Sequence, residues 1–406
     1  MRLAEEILAW QAEMTAIRRD FHAHPEIAFE EMRTSDRVAD MLQSWGIPVT
    51  RGLGGTGVVG TITGRSASGP AIGLRADMDA LPMPEVNDFP HASRNPGKMH
   101  ACGHDGHMTM LLAAARLLAQ TRDFDGTVHV IFQPAEEGGH AGARAMIRDG
   151  LFSRFPVAAV FGMHNWPGLP VGEFAIQPGP MMASSNTFEI EIEGKGAHAA
   201  MPNLGIDPVM AAVQLAQSLQ TIITRNCDPL DPAVISITQI HAGSTNNVIP
   251  DTASLQGTVR SFSTAVLDLV EARMAEITEH TCRALACSAR FNFIRSYPPT
   301  VNDAAQTDFC RRVAESLVGP QRVHTDVKPS MGAEDFAFML QEVPGSYVWV
   351  GNGAGEHRDA GHGAGPCTLH NSSYDFNDEL IPIGASYWVE LARQWLRTHA
   401  ETEPRT

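Results

Sequence analysis

A chain of 406 residues is too long for one ordinary hydrophobic core, so two domains are expected. Hydrophobic residues make up 43% and charged residues 19%, the balance of a globular protein. The formal charge of −16 argues against nucleic acid and anionic membrane as partners, because both need a basic face, and it names no substrate.

The amino terminus, MRLAEEILAWQAEM, reads as an amphipathic helix carrying Glu5 and Glu6. It lacks the basic start and apolar run of a signal peptide. No stretch approaches the ~20 continuous apolar residues of a membrane span. Cys102, Cys227, Cys282, Cys287, Cys310 and Cys367 are too few in so long a chain for a disulfide framework, and the cytoplasm is the expected compartment.

Up to about residue 183, strand-like and helix-like runs alternate. A helix over 35–45 precedes strands at 58–63 and 71–75, and a helix over 108–120 precedes strands at 127–132 and 157–162. Short apolar runs separated by amphipathic helices predict an α/β sheet with helices on its faces. Gly52, Gly54 and Gly57 satisfy G-x-G-x-x-G, but they run into the β-rich VVGTITG. No helix opens there to offer its N-terminus to a pyrophosphate, so a dinucleotide site is set aside.

The middle of the chain reads differently. TFEIEIE at 187–193 alternates like a half-buried strand, and a helix over 207–224 follows it. Strands at 233–240 and 253–260, a helix over 266–286 and a strand at 289–294 complete the order β-α-β-β-α-β, the ferredoxin-like pattern. After about residue 297 the chain returns to helix, strand and loop, with a last helix near 383–398. The expected architecture is a mixed-sheet, helix-flanked α/β domain over 1–183 and 297–406, with a ferredoxin-like α+β domain inserted over 184–296. Residues 351–366, rich in glycine and without periodicity, read as a mobile or ligand-hugging loop.

Chemistry concentrates in a few strings. HACGHDGH places Cys102 and His104 one residue apart ahead of a helix, and thiolate with imidazole suits a transition metal such as zinc. QPAEEGG puts Glu136 and Glu137 directly after the strand TVHVIF, at the carboxyl end where open α/β sheets place their sites; an exposed acidic turn fits the same residues. Asp77 and Asp79 follow the strand AIGLR, and His164 follows VAAVFG. Each alone reads as a solvated turn residue; three strand ends converging with Cys102 and His104 favour a metal cluster. By residue type, His198 in GKGAHAAMP reads as a surface histidine, and His370 assigns nothing by itself.

The strings LRADMDALP, MHACGHDGH, FQPAEEGG, FGMHNWP, GKGAHAAMP, NNVIPD, MGAEDF and LHN resemble the dinuclear metallopeptidases of the carboxypeptidase-and-aminoacylase type, within them the amidohydrolase branch of hippurate and auxin-conjugate hydrolases. The motifs run in family order from FHAHPE at His22 to Asn377, nearly the whole chain. The resemblance implies two divalent metal ions per subunit (zinc, manganese, cobalt or nickel) held by Cys102, His104, Glu137, His164 and His370. It implies Glu136 as general base and Asp79 as the residue that orients a ligating histidine. His198 and Asn247 would serve the active site of a partner subunit in a homodimer built on the inserted domain, which would act as lid and dimerisation domain. Arg260 would pair with a substrate carboxylate. In the wider peptidase family a histidine ligand opens the H-x-D motif, whereas Asp77 stands here. That departure points to amide cleavage of N-acyl amino acids, with a dipeptidase or carboxypeptidase as the alternative.

Overall fold

The computed structural model describes residues 1–358 and 360–400. The chain divides into two compact units, one of Met1–Gly179, Val301–Lys328 and the described residues from Asp335 on, the other of Pro180–Thr300 and Pro329–Glu334. No helix among the described residues is long and apolar enough to cross a membrane. All six cysteines are free thiols.

The first unit is built on a mixed sheet of eight strands: β1 (Val49–Leu53), β2 (Gly57–Thr63), β3 (Ala71–Asp77), β4 (Thr127–Gln133), β5 (Ala159–Pro167), β6 (Phe174–Ala175), β7 (Val323–His324) and β8 (Gly345–Gly353). Their order is β1-β2-β4-β3-β5-β8-β6-β7. The central four, β4-β3-β5-β8, are parallel. They are buried along almost their whole length. Strands covered on both faces read as continuous apolar runs, which is why AIGLR and TVHVIF show no alternation. From β3 the chain passes to β4 on one side and later to β5 on the other. Beside β3 the order reverses, and such a switch point opens a crevice beyond the carboxyl ends of the strands.

Five helices frame the sheet's chemistry: α1 (Gln11–Ala23), α2 (Met32–Ser44), α3 (His104–Thr121), α4 (Ala304–Val318) and α5 (Leu380–Ala400). Helix α3 is buried on nearly every side, so its sequence, MTMLLAAARLLA, is apolar all round. Four boundaries differ from expectation. The amino-terminal helix breaks at Trp10 into two. Helix α3 opens at His104, four residues early, and His164 lies inside β5 and not beyond it. Gly351 to Gly353 finish β8, which shortens the expected loop, and Asp359 of that loop lies outside the described residues.

In the second unit, strands Ala233–Ala242, Thr252–Ser261, Ser185–Glu193 and Ser288–Tyr297 lie side by side in that order, every neighbour antiparallel. Helices Pro208–Arg225 and Thr264–Ala284 cover one face over a core that includes Phe188, Ile190, Leu215, Leu255 and Val270.

A buried charge network ties α1 to the start of α3. Arg18 is fully buried; its Nε lies 2.9 Å from Asp105, and its terminal nitrogens meet Asp375 and Asp378. One turn on, His22 reaches Asp105 at 2.8 Å and Glu85 at 3.2 Å. Burial opposes the charged imidazole, but these two carboxylates raise it to about 9. Arg18→Met removes the buried guanidinium shared by Asp105, Asp375 and Asp378, and the expected loss is about 3–5 kcal/mol. Urea unfolding checks it: the midpoint should fall at constant slope, and an unmoved midpoint would show that the network carries no stability.

Candidate metal centre

The strand ends bring seven of the expected residues together in the first unit. Asp79 lies just past β3, Cys102 and His104 at the mouth of α3, Glu136 and Glu137 past β4, and His164 in β5. His370 joins from the loop before α5, where its backbone N–H donates to the carbonyl of Ala101 at 2.8 Å. Its ring Nε2 stands 3.2 Å from Glu137 Oε1. Cys102 Sγ lies 3.3 Å from His164 Nε2.

Cys102 stands in two donor sets, one with His104 and His164 and one with Glu137 and His370, and His104 also lies in a set with Glu136 and Glu137; within each set the donor atoms lie within 4.8 Å of one another. The donors in hand would suffice to hold two cations. Soft sulfur, imidazole and carboxylate together suit zinc, manganese, cobalt or nickel.

The histidine tautomers fit metal binding. A carbonyl only accepts, so His104 Nδ1 donates to Asp79 O at 2.8 Å and His164 Nδ1 donates to Asn165 O at 2.6 Å. This turns each Nε2 lone pair inward, the arrangement found at ligating histidines. His104 Nε2 is buried without a hydrogen-bond partner, its nearest carboxylate oxygen being Asp77 Oδ2 at 3.7 Å. Burial opposes a positive imidazole there, yet Asp77, Asp79 and Glu137 outweigh it and raise His104 to about 10. The carboxylates around this unpartnered nitrogen suit a divalent cation. Burial and the neighbouring His107 hold His164 far below its usual range, as a neutral donor.

Asp79 is a clamp. Its Oδ1 accepts from Glu136 N at 3.0 Å and its Oδ2 from Glu137 N at 2.9 Å, so one carboxylate sets both glutamates while its own carbonyl sets His104. Glu136 is buried, and its Oε1 accepts from Asp335 N at 3.4 Å.

Asp77, in the place of a histidine ligand, is engaged by protein groups: Arg75 at 2.7 Å and His107 Nδ1 at 2.7 Å. His107 lies with Asp77 and His104 in a further possible donor set, but its Nε2 is taken by Asn165 Oδ1 at 2.8 Å, so it supports and does not ligate. His107, Asn165, Arg75 and Tyr374 were given no role by the sequence reading, and Asp335 was noted in MGAEDF without one. The signals for them were the third histidine of HACGHDGH, one helical turn beyond His104, and the strings LRADMDALP, FGMHNWP and MGAEDF.

His198, Asn247 and Arg260 belong to the second unit. His198 is exposed on a short strand paired with Val248, and Ala199 N donates to Asn247 O at 3.0 Å, which sets the two side by side. Arg260, on strand Thr252–Ser261, is half-buried, and burial pushes its guanidinium down.

Comparison with known proteins agrees with this geometry. The model of peptidase family M20/M25/M40 matches residues 73–394. Hippurate hydrolase of Campylobacter jejuni subsp. jejuni is 40% identical over 397 residues, covering 98% of this chain and 100% of that protein. N-acetylcysteine deacetylase of Bacillus subtilis is 38% identical over 390 residues, covering 95% and 97%. Among solved structures, a dinuclear metal binding peptidase of the M20 family from Bacillus subtilis superposes with a TM-score of 0.82 at 37% identity, over 96% of this chain and 99% of that one.

Gly103 tests the supporting residues. Its φ is +95°, and a methyl group there would lie 2.2 Å from Asn165 Oδ1 and 2.6 Å from the Tyr374 hydroxyl. Gly103→Ala should weaken metal binding roughly 10–100-fold, as loss of outer partners does. Competition with a chelating dye measures this, and wild-type affinity would show that Asn165 and His107 do not hold the donors in place.

Proposed function

The chain belongs to peptidase family M20/M25/M40, and on that premise we propose that it is a metal-dependent amidohydrolase that cleaves N-acyl amino acids to a carboxylic acid and a free amino acid. The observation that carries the reading is the donor cluster by the carboxyl ends of β3, β4 and β5, buried but for the exposed His370, beside a glutamate pair held by Asp79.

Two divalent ions are the cofactors, and Cys102, His104, Glu137, His164 and His370 are the residues assigned to hold them. When bound, the ions supply Lewis-acid charge that polarises the amide carbonyl and acidifies the attacking water. Glu136 takes a proton from that water on a carboxylate oxygen and passes it to the nitrogen of the leaving amine, the double duty of an acid–base group. Asp79 keeps Glu136 aimed through the backbone N–H it accepts. His198 and Asn247, reaching in from a partner subunit of a homodimer, bind the developing oxyanion and the substrate; Arg260 pairs with the carboxylate of the amino acid. The second unit serves as lid and dimerisation domain, and the enzyme works in the cytoplasm. Zinc, manganese, cobalt and nickel all suit the donors, so availability selects among them.

Apo protein refilled with each of these metals and offered hippurate, N-acetylcysteine, other N-acyl amino acids and plain dipeptides tests the class. Metal-restored cleavage of an acyl amino acid is expected; cleavage confined to dipeptides would make it a peptidase. Glu136→Gln should retain both metals and lose roughly 10²–10⁴-fold in kcat, and near-wild-type turnover would remove Glu136 from its role. Mixing inactive Glu136→Gln with inactive His198→Ala should recover part of the activity through subunit exchange. A dead mixture of demonstrably exchanged dimers would place His198 in the site of its own chain or outside the reaction.

A further inference from the structure

The turn that delivers Glu136 and Glu137 contains a residue in an unfavourable conformation. Ala135 has φ +53°, in the left-handed region that L side chains rarely adopt. Its backbone is tied at both ends: the carbonyl accepts from Gly142 N at 3.0 Å, and the N–H donates to Glu31 Oε1 at 2.9 Å. With the two N–H groups held by Asp79, three consecutive backbone donors each end on a carboxylate oxygen.

Glu31 comes from a distant part of the chain, 104 residues before Ala135. It stands at the N-cap of α2 yet caps nothing there, and its side chain is fully buried. Its second oxygen accepts from the Thr56 hydroxyl at 2.6 Å, just ahead of β2. Burial pushes the carboxyl up to about 7, with the Thr56 hydrogen bond working downward and Asp79 adding to the rise. A group that need not be charged to accept these two hydrogen bonds acts through its geometry.

We propose that Glu31 is a positioning residue that holds Ala135 in its left-handed conformation and so aims the carboxylates of Glu136 and Glu137. The proposal rests on the reading of Glu136 as base and Glu137 as ligand. It assigns work to the HPEIAFEE segment ahead of α2, which the reaction does not otherwise use.

The test uses the full-length holoenzyme loaded with Co²⁺, with hippurate as substrate and the visible absorption of the bound Co²⁺ as a second readout. In Glu31→Ala, kcat should fall on the order of 10²-fold with KM little changed, as for a small displacement of catalytic groups. The cobalt bands should shift, and Co²⁺ affinity should drop roughly 10–100-fold. Glu31→Gln keeps an oxygen for Ala135 N–H, and the Thr56 hydroxyl can accept from its amide, so kcat and spectrum should return close to wild type. Wild-type kcat and cobalt bands in Glu31→Ala overturn the proposal. So does a Glu31→Gln variant as impaired as Glu31→Ala, because charge would then matter and not the hydrogen bond. If Glu31→Ala does not fold, Thr56→Val removes only the hydroxyl that orients Glu31. A partial loss in both readouts is expected there, and none would overturn the idea. Should the wild type leave hippurate untouched, the reading of the reaction fails by itself, and the cobalt spectra and affinities of the variants still decide the role of Glu31.

Discussion

Four carboxylates, those of Asp77, Asp79, Glu136 and Glu137, are buried within one crevice, and like charges in a medium of low polarity repel strongly unless each has a partner. The surrounding structure is arranged around that constraint. Asp77 is given to Arg75 and His107, and burial notwithstanding, His104, Arg75 and His107 hold it far below the usual carboxylate range. Asp79 spends both oxygens on backbone N–H groups. Glu137 meets His370. Arg75 is shared further, with Gln133 at 2.7 Å and Asp335 at 3.0 Å, and Asp335 in turn accepts from Ala143 N at 2.9 Å. Beside these paired carboxylates His104 Nε2 is buried without a hydrogen-bond partner, among donor groups of the type that hold a metal ion.

The fold makes this crowding possible. Parallel strands end together, so residues 77–79, 133–137 and 164 become neighbours although the chain between them is long. Helix α3 closes in from the same side because two glycines let it. A Cβ at Gly103 would collide with Asn165 and Tyr374, and one at Gly106 would lie 2.2 Å from the Phe376 ring. Arg18 and His22 then pin the first turn of the helix through Asp105, next to a residue assigned to the metals. The support of the site is as buried as its core.

Asp77 shows how a change of residue type is absorbed. A histidine there could offer a neutral lone pair to a metal, whereas a carboxylate beside Arg75 is already paired. Cys102, at the other end of the connection to α3, brings a sulfur donor within 3.3 Å of His164 Nε2. Asp77, held by Arg75, in turn holds His107, whose Nδ1 lies 2.7 Å from its Oδ1.

The sequence by itself determined much of this. Apolar patterning located β2, β3, β4 and β5 and helices α2 and α3 to within about five residues, while β1, β6, β7 and β8 were not placed. Residue type and strand-end position singled out Asp79, Cys102, His104, Glu136, Glu137 and His164, since metal chemistry restricts the donors to few side chains. His370 was legible only through the LHN string, because a lone histidine in a loop has no pattern of its own. Tertiary structure alone decided the rest. Which carboxylate faces Arg75, which histidine keeps a free nitrogen, and that Glu31 reaches Ala135 depend on contacts between residues far apart in the chain. Hydrogen bonds of that kind leave no periodic trace in a sequence, because they are fixed by packing direction and not by spacing.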